Sequence, residues 1–222
     1  MKAPPTLTPS RKDNRAFTLI ELIIVITIIG IMMAFTVPAI TGALKANKLT
    51  QSADLLRSQL AYAQLQAQKV NSPIQVRFFQ YKDPNSPGAV DKFRAYQLFR
   101  RSASDKSGVN AGSVNQNVET MEPIGPLRKL PEPIVFADSE RISTLLSLPK
   151  SRGEVPYKRN RPLDAQFVAF DFEPTGSTNL GAAKQWYVTL IDERKERGAE
   201  IPDNFATVQI DPFTGSIRLI RP

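Results

Sequence analysis

The apolar positions of this chain change period twice, and each change marks a boundary. From Phe17 to Ile40 the residues are nearly all Ile, Leu, Val, Met, Ala and Phe, interrupted by Glu21, three threonines, Gly30 and Pro38. About twenty such residues cross the hydrocarbon core of a bilayer as a helix, so residues 17–40 read as a membrane-spanning helix. Proline removes a backbone donor and clashes with the preceding turn. Gly30 and Pro38 are therefore the place for a helix break, tolerable where neighbours pack around it. Ahead of the run, residues 1–16 form a polar, basic leader containing Pro4, Pro5 and Pro9.

Residues 41–70 read as an amphipathic continuation of the helix. Leu49, Ala53, Leu56, Leu60, Ala63, Ala67 and Val70 recur at alternating steps of four and three, with Leu55, Tyr62 and Leu65 widening the stripe. The alanines favour close packing against a sheet over a coiled coil. Asn71-Ser72-Pro73 ends the helix.

From Ile74 the period becomes two. Ile74–Tyr81 and Lys92–Arg100 read as strands of a hairpin, the second with Phe93, Ala95, Gln97 and Phe99 on one face. Ser102–Asn117 reads as a surface loop, and Met121–Pro133, with four prolines, as an irregular or edge segment. Ile134–Ala137 is a short strand, Ile142–Leu148 a helical turn, and Lys150–Pro162 a basic loop. Gln166–Phe172, Gln185–Asp192, Ala206–Ile210 and Ser216–Ile220 are further strands, the last two joined by the Asp211–Gly215 turn. The predicted class is α+β: a long amino-terminal helix packed on an antiparallel β-rich domain over residues 71–222, arranged as two sheets.

Composition narrows the chemistry. The chain has 222 residues, no cysteine and no histidine. A Ser-His-Asp triad, a Cys-His pair and a His-based zinc site are excluded, and no disulfide supports the fold. The net charge is +8; the leader holds four basic residues and one acidic, so the chain without it would keep +5. Leader charges fit retention on the cytoplasmic side, with the carboxy-terminal domain sent outward into the periplasm. A secretory signal cut near Thr41-Gly42-Ala43 is the rival reading of the same segment.

An ionised Glu within an apolar span is costly, on the order of 2.5 kcal/mol or more near a bilayer centre and less toward an end. Glu21 therefore calls for a cationic partner, and a new amine exposed by cleavage before Phe17 would supply one. The string Ala16/Phe17-Thr18-Leu19-Ile20-Glu21 resembles the prepilin cleavage and methylation motif of type IV pilins and type II secretion pseudopilins. The resemblance implies cleavage between Ala16 and Phe17 by a prepilin peptidase, N-methylation of Phe17, and pairing of Glu21 with the amine of a neighbouring subunit. Ala16 stands where the family usually has Gly. Further implied partners are other pilin or pseudopilin subunits and an inner-membrane assembly platform, in a single-pass protein that enters a pseudopilus or pilus-like fibre.

The order of long helix, strands, a Phe172–Ser177 turn and a closing hairpin resembles the H-type minor pseudopilins. Phe93–Phe99, Asn204–Pro212 and the Arg-Pro terminus resemble the Verru_Chthon cassette protein D group of prepilin-type proteins. The alternative is a membrane-tethered binding protein, for DNA or an envelope partner, that does not polymerise. Its candidate nucleic-acid patch is Lys150, Arg152, Lys158, Arg159, Arg161, Arg218 and Arg221, with Tyr157 for stacking. Asp164, Asp171, Glu173, Asp192, Glu193, Asp203 and Asp211 sit at strand ends or in loops without the spacing of a paired-carboxylate hydrolase. Asp192, Glu193, Glu200 and Asp203 are interspersed with Arg194, Lys195 and Arg197 and match no calcium loop. The sequence calls for no enzyme, cofactor or metal.

Overall fold

The computed structural model describes residues 18–85, 90–103, 119–158, 161–196, 200 and 202–222, with the side chains of 35–45, 102–103, 119–120, 157–158 and 161 outside that description. The chain divides into two compact units, Met1–Ala43 and Leu44–Pro222. Helix α1 is Leu19–Val70. In the first unit every described side chain from Thr18 to Ala34 is exposed. Among the described residues no helix is long and apolar enough to cross a membrane; the apolar run of the sequence continues to Ile40, past the described side chains. The backbone is helical through Gly30 and Pro38, so a break there would belong to a packed state.

The second unit has the expected α+β class. Its strands are β1 (Ile74–Tyr81), β2 (Lys92–Ala103), β3 (Glu119–Lys129), β4 (Ile134–Phe136), β5 (Ser151–Lys158), β6 (Arg161–Phe172), β7 (Trp186–Asp192), β8 (Phe205–Ile210) and β9 (Ile217–Ile220). The two sheets expected from the sequence are one antiparallel sheet, ordered β5-β6-β1-β2-β4-β7-β8-β9, with β3 also on β2. They merge because β2 pairs β1 along one side and shares its other side, giving Phe93 to β4 and Ala95–Ala103 to β3. At the fork the Leu130 amide donates to the Arg94 carbonyl at 2.8 Å.

Residues Leu49, Ala53, Leu56, Leu60, Ala63 and Ala67 are buried against Val76, Phe78, Phe170, Val188 and Val208 of the sheet. The wider stripe is not realised: Leu55, Tyr62 and Leu65 are 43%, 42% and 63% exposed, and Val70 is 38% exposed. At about 100° per residue those first three lie well round the helix from the alanine line, and a flat sheet reaches only a narrow strip of a cylinder.

Two strand readings change for local reasons. Phe79 pairs Ala95 and Gln80 pairs Phe93, which leaves Arg94 as an extra residue in β2. Side chains alternate along a strand, and a bulge resets that phase. Phe93, Tyr96 and Leu98 therefore face the helix, while Ala95 and Phe99 join Phe79, Val155 and Phe167 on the opposite face. There Arg77 lies over the Phe99 and Phe167 rings at 4.2 and 4.4 Å.

The Lys150–Pro162 segment, expected as a loop, supplies β5 and the start of β6. It is polar because β5 is the last strand of the sheet, where among the described side chains only Val155 is fully buried and Gly153 lies close against the Phe167 ring. Met121–Pro133 falls in β3 and the turn after it, and β3 pairs β2 alone, as an edge that tolerates prolines.

Leu56→Ala should cost about 2–5 kcal/mol, whereas Leu65→Ala should stay within about 0.5 kcal/mol; denaturant unfolding of the two variants measures both. Burial pushes the phenols of Tyr81 and Tyr96 up to about 12, against about 10 for an unfolded tyrosine. The fold thus favours the neutral phenol. Its contribution to stability is complete below about pH 10 and is lost as pH rises toward 12. Absorbance titration should find two of the five tyrosines ionising late, together with alkaline unfolding.

Candidate functional site

The first turn of α1 positions Glu21. Thr18 precedes the helix, and its hydroxyl accepts from the Glu21 amide at 3.3 Å. The Glu21 Oε2 accepts from the Thr18 amide and the Thr18 hydroxyl, both at 3.0 Å. This is a reciprocal capping box, in which two backbone donors with no helical partner are satisfied. It fixes the carboxylate at the helix start through one oxygen. The sequence reading missed Thr18, although a Thr three residues ahead of a Glu before an apolar run is the signature of that cap.

Beyond the cap, Leu19, Ile20, Leu22, Ile23, Ile24, Val25 and Ile26 are 45–78% exposed. A helix apolar on all sides is stable only inside a core, a membrane or a helical assembly. Thr27 donates its hydroxyl to the Ile23 carbonyl at 2.7 Å, so this polar side chain is satisfied within the helix. Ala16 and Phe17 lie outside the described residues, as does Arg159; the side chains of Pro38, Lys158 and Arg161 do too.

Among the described residues the basic candidates stand at the two ends of the strand order. Lys150 and Arg152 are at the β5 end of the strand order and Arg218 and Arg221 at the β9 end. Lys150 donates to Gln80 Oε1 at 2.9 Å and lies 5.3 Å from the Phe93 ring centre. With Arg152 it lines a shallow cleft of about 340 Å³ that also holds Asp91 and Asp164, so cations and carboxylates alternate there. Arg221 donates to the Thr50 hydroxyl and carbonyl at 2.9 and 3.1 Å and approaches Asp54 at 3.5 Å. It fastens the chain end to α1.

Three carboxylates at the end of β7 and just after it are likewise engaged. Asp192 accepts from the Arg194 amide at 3.0 Å, Glu193 pairs Arg94 at 2.6 Å, and Glu196 pairs Lys92 at 2.5 Å. Among the described residues no group of three or more carboxylates is placed to hold a metal. Asp211 Oδ1 accepts from the amides of Phe213 and Thr214 and from the Thr214 hydroxyl at 2.8–3.0 Å. These bonds, the Thr214 amide foremost, hold its carboxyl below the usual range.

Residues 11–37 match the prokaryotic N-terminal methylation motif. Among solved structures, the chain is similar to the minor pseudopilin EpsH from the type 2 secretion system of Vibrio cholerae. The two share 12% identity, covering 79% of this chain and 98% of that one, with a TM-score of 0.39. None of the curated proteins matches.

Arg221→Ala should lower stability by about 1 kcal/mol, through the lost bonds to Thr50, and leave salt-dependent retention on duplex DNA unchanged. Denaturant midpoint and DNA-column elution measure the two effects; a loss of retention with unchanged stability would reverse the assignment.

Proposed function

We propose that this chain, which carries a prokaryotic N-terminal methylation motif over residues 11–37, is a pilin-like structural subunit of a pseudopilus or pilus-like fibre. A prepilin peptidase releases residues 1–16 and methylates the Phe17 amine. The mature subunit is held in the inner membrane by residues 17–40, with the second unit in the periplasm, and passes through an assembly platform into the fibre. Neighbouring subunits then surround the apolar helix, and the segment from Gly30 to Pro38 yields as they pack. The finer assignment is an H-type minor pseudopilin, on the order of long helix, strands, Phe172–Ser177 turn and closing hairpin, close to the Verru_Chthon cassette protein D group, on the strings Phe93–Phe99 and Asn204–Pro212 and the Arg-Pro terminus.

The observation that carries this reading is the combination of the motif with an α1 start that is apolar on all sides and bears one fixed carboxylate. In an apolar surrounding a lone carboxylate is costly. The Thr18 bonds offset part of that cost through Oε2, and a methylated amine from an adjacent subunit supplies the missing charge. Hydrophobic packing drives association, and the charge pair sets the axial position of one helix against the next.

Co-expression with a prepilin peptidase, followed by intact-mass measurement, should give a chain beginning at N-methylated Phe17. A retained leader or a start at another residue counts against the proposal. Glu21→Gln keeps a side chain able to cap the helix but removes the charge. It should be cleaved normally and enter fibres at least tenfold less well, while Thr18→Ala should weaken the cap alone. Undiminished incorporation of Glu21→Gln would remove the charge pair from the mechanism.

A further inference from the structure

We propose that a cleft between α1 and β3 receives Phe213 of a second copy of this chain, so that copies join side by side through opposite flanks of α1. The inference rests on the fibre-subunit reading above and names one contact within it.

The cleft follows from an irregularity of the sheet. The β2–β3 register shifts between Tyr96 and Leu98, and the chain opposite turns through Gly125 at φ 79°, where nothing lies within 4 Å of the missing side chain. Gln97 Nε2 donates to the Gly125 carbonyl at 3.0 Å and holds the opening in shape. The resulting volume is about 230 Å³, lined by Gln59, Tyr62, Tyr96, Gln97, Gly125 and Arg128 among others. Pockets for free ligands run about 300–1,000 Å³, so this one suits a single large side chain. Tyr62, partly exposed, and Arg128 line the cleft with an aromatic ring and a guanidinium against which another aromatic ring packs.

Phe213 is such a side chain, 70% exposed at the β8–β9 turn. The turn is rigid. Asp211 caps it, and Gln64 Nε2 of α1 donates to both the Thr214 and Gly176 carbonyls at 2.8 Å. Gly215, at φ 63°, has no room for a side chain against the Gly176 carbonyl. A large aromatic held outward by a fixed turn loses little freedom on docking, as interface anchors require.

Charge agrees with shape. Glu173 and Asp211 belong to the two turns that Gln64 ties together. Asp211 is already engaged by the Phe213 and Thr214 amides of its own copy, which leaves Glu173 to meet the other copy's cleft. The Arg128 side chain makes no hydrogen bond or ion pair among the described residues, and the residue is exposed at the cleft.

Position selects a second copy as the occupant. Gln59 and Tyr62 fall on one side of the buried stripe of α1 and Gln64 on the other, about 140° apart by helical geometry. Their levels along the axis differ by about one turn, on the order of 5 Å. A contact between different patches on opposite flanks is heterologous, and with an axial offset it continues as an open helical series instead of closing.

The chain has no cysteine, so engineered cross-links report without background. Full-length chain with Ser216→Cys, an exposed position of the same turn that leaves Phe213 in place, is co-expressed with full-length chain carrying Gln59→Cys, the peptidase and the fibre machinery, then oxidised. We expect a mixed disulfide dimer, a ladder of multimers when both substitutions sit on one chain, and severalfold less product with Arg128→Glu, restored by Glu173→Arg on the partner. Dimers joined only through the thiols of two Gln59→Cys chains or of two Ser216→Cys chains, or capture of a different fibre protein by the Ser216→Cys chain, overturn the contact. So does the absence of product in chain that is processed and sediments with fibres, which leaves the fibre reading intact. Chain that is neither processed nor found in fibres removes that reading and the contact with it.

Discussion

The second unit depends on how closely the line of Leu49, Ala53, Leu56, Leu60, Ala63 and Ala67 approaches the sheet. Ala53, Ala63 and Ala67 are fully buried, and an alanine at each of these places lets the helix backbone settle onto Val76, Phe78, Phe170 and Val188. That closeness has consequences at both flanks. It brings Gln64 within reach of two carbonyls on one side and Lys48 within 2.9 Å of the Glu132 carbonyl on the other. A larger residue in the line would lift the helix and detach these loop contacts together, since close-packed interiors absorb added volume poorly.

What could be read in the sequence was whatever repeats. Steps of four and three from Leu49 to Ala67 gave the buried helix face, and the alternation from Ile74 gave β1 with its correct bounds. Isolated departures from a repeat were not legible. Arg94, one extra residue in β2, reverses the facing of everything after it, and nothing in its type announces a bulge. The polar run from Lys150 to Pro162 looked like a loop because an edge strand needs to bury only one side chain in several. Leu55, Tyr62 and Leu65 looked buried because hydrophobicity alone does not report how wide a strip the sheet can cover.

The helix start was legible in a different way. Its motif is a short string with a physical meaning at each place, and Glu21 could be singled out by cost alone. Its immediate partner could not be chosen on that argument, which looks for a charge. The structure adds Thr18, a neutral donor pair that satisfies one carboxylate oxygen. A cap and a charge pair are compatible because they use different capacity of the same group: a carboxylate accepts at two oxygens.

The distribution of unused groups follows from these arrangements. Asp192, Glu193, Glu196 and Asp211 hold loops in place, and Arg94, Lys92 and Arg221 are their counterparts or tie the chain end to the helix. Polar groups that are already paired at 2.5–3.1 Å have little capacity left for a substrate or a metal. Two exposed apolar features stand apart from these pairs: the start of α1, and Phe213 on a turn that the helix itself stiffens. Burying either requires another surface of comparable shape. An apolar helix start and an aromatic side chain held outward on a fixed turn are features suited to being built into something larger.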